Sequence, residues 1–423
     1  METPVCGCDE IKSLTRRRLL GRTLVAGAAA GLTGLVGEGL STGLAFAAEG
    51  YTGDTLVVLS LRGGFDGLSA IAPIGDPAYY TARPTIALPK SQVIAGDGMF
   101  GLHPALAPLL PLWNAGQLAA VHAVGQPDPT RSHFAAMEAM ENAAPGTAIR
   151  SGWLDRMLGL TGATGPLAGV SLGDSMPARL LAGPAPAASM TTIDAFTLAG
   201  ESAKRPVAAA LRGLYAGAPE ALAGPARAAD AALTASASLR ATAYTPANGA
   251  VYPATELGAA LRDVARLIKA KSGLVTAAVD CGDWDMHEAL GTAAKGQRMY
   301  DNLAQTASAL AAFAADLGPD GMKNVTLVTV SEFGRRVQEN ASRGADHGHG
   351  NAMLVLGGGI RGGKVYGAWP GLSADALVAG DLAATTDYRA VIAEILRKRC
   401  TLGATDAVFP SVSPSSLGLA IAR

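Results

Sequence analysis

Three of the six histidines in this 423-residue chain sit in two short acidic clusters, Asp285-Met286-His287 and Asp346-His347-Gly348-His349. Neutral imidazole and carboxylate are the side chains that bind Zn, Mn or Fe. In extended backbone, residues two apart project the same way, so Asp283, Asp285 and His287 can share one face, as can His347 and His349. A lone His beside an Asp is also an ordinary surface hydrogen-bonding pair. Two such clusters in one chain point to a shared site for a divalent metal, with Zn, Mn, Mg and Ca as the candidates.

Ser132 is the candidate nucleophile. Pro127 and Pro129 break the chain, and Phe134, Met137, Glu138 and Glu141 follow at helical spacing. Ser132 is thereby placed near a helix N-terminus, where free N–H groups and the helix dipole favour an anion. An activated serine there could attack phosphorus or sulfur. Ser132 and Thr130 are equally good helix caps, and that reading stays open. Arg62, Arg131 and Arg335 are candidates for holding an anionic group, with Arg131 next to the nucleophile. The run Gly358 to Lys364 has the spacing of a phosphate-binding loop. Val365 stands where a Mg-binding Ser or Thr is required, so nucleotide hydrolysis is not indicated.

These residues need a scaffold that gathers them. The runs 55–61, 118–124, 274–279, 325–330 and 352–356 are continuously apolar, as buried strands of a mostly parallel sheet are. Helical faces alternate with them. Leu257, Leu261, Val264 and Ile268 mark one, and Met299, Leu303, Leu310, Phe313 and Leu317 mark another ahead of Gly318-Pro319. The pattern predicts a three-layer α/β/α, doubly wound, mostly parallel sheet, in which ligands bind beyond the carboxyl ends of the strands. The polar groups Arg62 to Gly67, Asp128 to His133, Asp283 to His287 and Ser331 to Arg336 all fall there. An Ala-rich stretch, about 194–245, reads as a helical insertion without chemistry of its own.

The N-terminus predicts where the protein works. Arg16-Arg17-Arg18 opens a weakly hydrophobic Gly/Ala-rich run, and Ala45-Phe46-Ala47 supplies a small-x-small cleavage pattern. Residues 1–47 are expected to be a twin-arginine signal peptide, with the translocase and signal peptidase as partners during export. Residues 48–423 then form the α/β domain, delivered to the periplasm or the extracellular space. No later stretch is apolar enough to span a membrane. With 34 basic against 35 acidic residues, nucleic acid is an unsuitable partner. Cys281 and Cys400 are the two cysteines outside the leader, and an oxidising destination permits them to pair.

Taken together, the leader, Leu-Arg-Gly-Gly-Phe-Asp-Gly at 61–67, Arg-Ser-His-Phe at 131–134, Asp-Trp-Asp-Met-His at 283–287, Ser-Glu-Phe-Gly-Arg at 331–335 and Asp-His-Gly-His-Gly-Asn at 346–351 resemble a large bacterial family of exported proteins of unknown function. That family looks like a distant branch of the alkaline phosphatase and sulfatase superfamily. The resemblance implies metal ligands in a fixed chain order, which map onto Asp66, Asp285 with His287, Glu332, and Asp346 with His347 or His349, and it places Ser132 as nucleophile. It departs from the superfamily at Glu332-Phe333, where Asp-His is usual. The implied function is a metal-dependent hydrolase or transferase acting on small phosphate or sulfate esters. The alternative is a secreted binding or assembly protein that kept the fold.

Overall fold

Uninterrupted Val, Leu and Ala runs form the centre of one large sheet, because strands covered on both faces have no solvent side to keep polar. The computed structural model describes residues 51–173, 178–202, 204–412 and 416–423, so the leader at 1–47 lies outside the described residues. The strands are β1 (Thr55–Leu61), β2 (Ile71–Ala72), β3 (Gly101–Leu102), β4 (Leu118–Gly125), β5 (Gly169–Leu172), β6 (Ala187–Met190), β7 (Thr276–Cys281), β8 (Val325–Val330), β9 (Asn351–Gly357), β10 (Val365–Tyr366) and β11 (Thr386–Asp387). Nine of them form one sheet, in the order β10-β4-β9-β8-β1-β7-β5-β6 with β11 also on β4.

Strand β1 pairs parallel with both β7 and β8, and β5 pairs parallel with β6 and β7. Strand β9 is the exception: it runs antiparallel to β4 and to β8. Two reversals leave β4 running with β8, β1 and β7, so the expected parallel set holds while the fifth apolar run inverts. This inversion helps the site. The segment before β9 emerges at the carboxyl ends of its neighbours without having to fold back. Between His122 and Val124 the β4/β9 register shifts, leaving Ala123 at φ +52° as the extra residue of a bulge. Such bulges re-aim a strand end, here the one that leads into Gln126 to Ser132.

The helices are α1 (His133–Asn142), α2 (Trp153–Thr161), α3 (Val207–Tyr215), α4 (Glu220–Arg240), α5 (Glu256–Lys269), α6 (Arg298–Met322) and α7 (Tyr388–Lys398), besides shorter turns. Trp153 and Leu154 of α2 and Val391, Ile392 and Ile395 of α7 share one apolar cluster with Leu56, Val58, Val121, Val328 and Val355. Val57 and Leu59, pointing the other way, are just as buried. On that side α5 and α6 pack on each other, α5 also on β7 and α6 on β8. The result is a three-layer α/β/α arrangement. Each buried Val or Leu contributes about 1.5–3 kcal/mol by leaving water.

Helix α5 begins where the Thr255 hydroxyl accepts the Gly258 N–H at 3.1 Å. In α6 the helical backbone is interrupted at Gly318, which takes φ +65° just before Pro319, and a final turn follows. Residues 196–238, with α3 and most of α4, form a separate compact unit; residues 51–195 and 239–423 belong to the other. Cys281 and Cys400 are both free thiols. Among the described residues no helix is long and apolar enough to cross a membrane.

Candidate metal centre

The loops that follow β4, β7 and β8 bring three imidazoles to one point. The Nε2 atom of His347 lies 3.0 Å from that of His133 and 2.9 Å from that of His287. Asp285 Oδ1 faces all three, at 3.0 Å from His287, 3.5 Å from His347 and 3.8 Å from His133. Donor atoms of His133, Asp285 and His347 all lie within 4.8 Å of one another, and His287 adjoins two of these three.

The far nitrogen of each ring is already engaged. His133 Nδ1 meets Glu332 Oε1 at 2.8 Å, His287 Nδ1 meets Asp346 Oδ1 at 2.8 Å, and His347 Nδ1 meets the Arg131 carbonyl at 2.8 Å. Acceptors at all three positions require N–H on Nδ1. In the neutral rings the three Nε2 lone pairs are therefore turned toward one another and toward a carboxylate. That arrangement calls for a cation between them. A tetrahedral ion with bonds of about 2.0–2.1 Å sets neighbouring donors roughly 3.3 Å apart, close to the separations found here. The residues fit a divalent ion, and a donor set this rich in imidazole suits Zn or Mn better than Mg or Ca, which prefer oxygen.

The electrostatics agree. Burial works against charge on His133, but hydrogen bonds to Asp285 and Glu332 outweigh it and raise its pKa to about 9. The hydrogen bond to Asp285 likewise raises that of His287, against the cost of burial. Burial would push Asp285 up, yet the three imidazoles and Arg335 hold it far below the usual carboxylate range. Without a metal, His133 and His287 attract protons in its place.

Several sequence expectations take other positions. Glu332 points its carboxylate at His133 and also accepts from Gly63 N at 2.8 Å and Ser331 Oγ at 3.0 Å, so it orients that imidazole and is not turned to the cluster itself. Asp346 does the same for His287, braced by Asn340 Nδ2 at 3.0 Å. Asp66 is committed elsewhere: both oxygens are held by the buried Arg83 guanidinium, at 2.6 and 3.0 Å, and Ser69 binds one of them. His349 turns to the Gln126 carbonyl at 2.8 Å. Arg62 is paired with Glu141 and Asp280, and Arg131 with Asp381, so neither guanidinium is free for an anion. Arg131 reaches the cluster through its backbone carbonyl instead. Ser132 is the N-cap residue of α1, but its side chain makes no cap hydrogen bond.

His133 is the candidate ligand that sequence reasoning passed over. It has no acidic neighbour in the chain, and its partners Glu332 and His347 lie 199 and 214 residues away. The available signal was its place just after a strand end, beside Arg131 and Ser132. The other two histidines are structural. His122, for example, is fixed between the Ile71 carbonyl and the Ala123 N–H, and burial lowers its pKa to about 4.

A family model described as a protein of unknown function (DUF1501) matches residues 117–395, a span that holds the whole cluster and leaves Asp66 outside. No curated protein matches the chain by sequence. Among solved structures, the lipoteichoic acid synthase LtaP from Listeria monocytogenes is similar over 80% of this chain and 72% of its own, at 8% identity and TM-score 0.34. The C-terminal periplasmic domain of EcEptC from Escherichia coli, in complex with Zn, is similar over 73% of this chain and 74% of its own, at 11% identity and TM-score 0.35. Both likenesses are loose, and the description of the sheet rests on its own strand pairing.

Proposed function

The chain belongs to the DUF1501 family of proteins of unknown function, and from that premise we propose that it is an exported, metal-dependent hydrolase or transferase of phosphate or sulfate esters. The observation that carries this reading is the convergence of three imidazole lone pairs and the Asp285 carboxylate, one of the imidazoles being the chain neighbour of Ser132, whose hydroxyl is not spent on its own helix. His133, Asp285 and His347, with His287, would hold the ion. When bound, a divalent ion offsets the charge of an anionic ester and makes a neighbouring hydroxyl more acidic. Zn and Mn are the candidates the donor set favours.

Ser132 is the proposed nucleophile. It lies between Arg131, whose carbonyl orients His347, and the ligand His133, so the chain itself ties its backbone to the centre. As N-cap of the ten-residue α1, it is next to first-turn N–H groups and the positive end of the dipole, which favour the anionic group of an ester. Arg335, buried and bonded to Asp285, fixes the ligand carboxylate. Export is part of the same proposal, resting on the Arg16 to Arg18 leader.

The second reading, a secreted non-catalytic binding or assembly protein on the same fold, is favoured by one observation: Arg62 and Arg131 are both neutralised by carboxylates. One experiment separates the two. Protein stripped of metal and reloaded with Zn or Mn is assayed against aryl phosphates, phosphodiesters and sulfates. The ester reading expects turnover that tracks bound metal. Metal-replete protein that cleaves none of these sinks it in favour of the binding reading.

A further inference from the structure

Beside the cluster lies an open cleft of about 610 Å³ whose lining includes Thr85, Glu288, Gln297, Arg298 and Arg343. Much of its wall continues the loops that carry His287 and His347. Glu288 follows His287 directly. Arg298 donates to the Asp285 carbonyl at 3.0 Å and pairs with Asp283 at 2.5 Å. Asn340 Nδ2 donates to the His287 carbonyl at 2.8 Å as well as to Asp346. A pocket of this size exceeds what a lone phosphate or sulfate fills and suits a molecule of several units.

The turn carrying Arg343 is fixed. Asn340 Oδ1 accepts the N–H groups of Ser342 and Gly344, each at 3.0 Å, and Arg343 itself sits at φ +56°. Gly344 lies so close to the His287 carbonyl that a Cβ would come within 2.2 Å of it, which pins the turn against the ligand loop. Arg343 is exposed at the cleft, and among the described residues no side chain pairs with it. Arg62, Arg131, Arg298 and Arg335 all have carboxylate partners. The cleft thus presents an uncommitted guanidinium on a backbone turn that is held in place, the donor type suited to bidentate recognition of phosphate, sulfate or carboxylate. Glu288, adjacent to His287, disfavours an anion on its own wall and leaves the Arg343 side for it.

We infer that the cleft holds the remote part of an extended substrate bearing a second anionic group, which Arg343 clamps while the reacting ester occupies the metal cluster. This rests on the ester reading proposed above. The chemical class is a bis-anionic ester, with two acidic groups joined by a flexible spacer, and not a small mono-ester.

The test is calorimetric binding to the zinc-loaded full-length protein. The probes are alkane-α,ω-diol bisphosphates of two to eight carbons and the matching alkyl monophosphates. At one or more spacer lengths the bisphosphate should bind about tenfold or more tighter than its monophosphate, as one charged hydrogen-bonded pair would provide. Arg343→Ala should remove that increment and leave monophosphate affinity unchanged, and Arg343→Lys should restore part of it. Equal binding of both series to the native protein overturns the cleft assignment alone. So does an Arg343→Ala variant that keeps the increment. Failure of both series to bind overturns this inference, whereas the ester reading itself stands or falls on the turnover assay of metal-loaded protein described above.

Discussion

Arg335 donates a 2.6 Å hydrogen bond to the Asp285 carboxylate while the same guanidinium donates to the carbonyls of Gly64 at 2.7 Å, Ala345 at 2.9 Å and Trp284 at 3.1 Å. One buried cation therefore ties the loops after β1, β7 and β8 to the carboxylate that faces the three imidazoles. The planar fork is what makes this possible. Lysine keeps the charge but cannot bond several carbonyls and a carboxylate at fixed angles. Arg335→Lys should therefore weaken zinc affinity by about tenfold to a hundredfold, as losing an outer partner of a ligand does. Zinc titration with a competing chelator measures it. Native affinity in a folded Arg335→Lys variant would make the clamp an element of the fold only.

Ligands and their supports should separate cleanly. His347→Ala and Asp285→Ala remove donors and should lower the zinc bound per chain. Glu332→Gln keeps the shape beside His133 but loses the charge, and should weaken binding about tenfold to a hundredfold while full loading is still reached at high zinc. Elemental analysis across a zinc series distinguishes the cases. Equal loss in Glu332→Gln and His347→Ala would mean that Glu332 is itself a ligand.

Ser132 is exposed to a paired test of stability and turnover. Because its hydroxyl caps nothing, Ser132→Ala should leave thermal stability within about 0.5 kcal/mol of native, whereas Thr255→Ala, which removes a working cap, should cost about 1 kcal/mol. Metal content should stay native in both. Ester turnover should vanish in Ser132→Ala alone. Persistent activity in that variant would hand the nucleophile's role to water.

Export predicts a chemical preference at the leader. Arg16, Arg17 and Arg18 replaced together by Lys should trap precursor in the cytoplasm, since the twin-arginine route reads guanidinium and not charge alone. Cell fractionation decides it, and the exported form should begin near Ala48. Periplasmic material that still carries Met1 or Cys6 would refute cleavage.

The strands were legible because burial on both faces writes itself as unbroken Val, Leu and Ala runs, and four of the five long runs keep the expected common direction. The direction of β9 was not legible. A doubly buried antiparallel strand has the same composition as a parallel one, and only the pairing distinguishes them. At the cluster, Asp285, His287 and His347 stood out through local spacing. His133 did not, since its partners arrive from 199 and 214 residues away. Carboxylate roles were the least legible. Asp66, Glu332 and Asp346 are alike in sequence, and what assigns them is the cation or imidazole that faces each one.

Asp66 offers the sharpest contrast between a ligand and a structural charge. Burial alone would raise its pKa, but the Arg83 guanidinium, through charge and hydrogen bonds, more than reverses that and lowers it from the usual value. A depressed folded pKa means stability that is fully present above the unfolded carboxylate value, about 3.9, and is lost as pH falls through the lower folded value. Asp66→Asn leaves a buried guanidinium without its counter-charge and should cost about 3–5 kcal/mol. Asp66→Asn combined with Arg83→Met removes both charges and should recover much of that loss. The double variant should also show a shallower fall in stability below about pH 4. In either variant that folds, zinc bound per chain should match the native protein. Denaturant melts across the acid range together with elemental analysis check both halves, and a stable double variant that has lost its metal would return Asp66 to the ligand set.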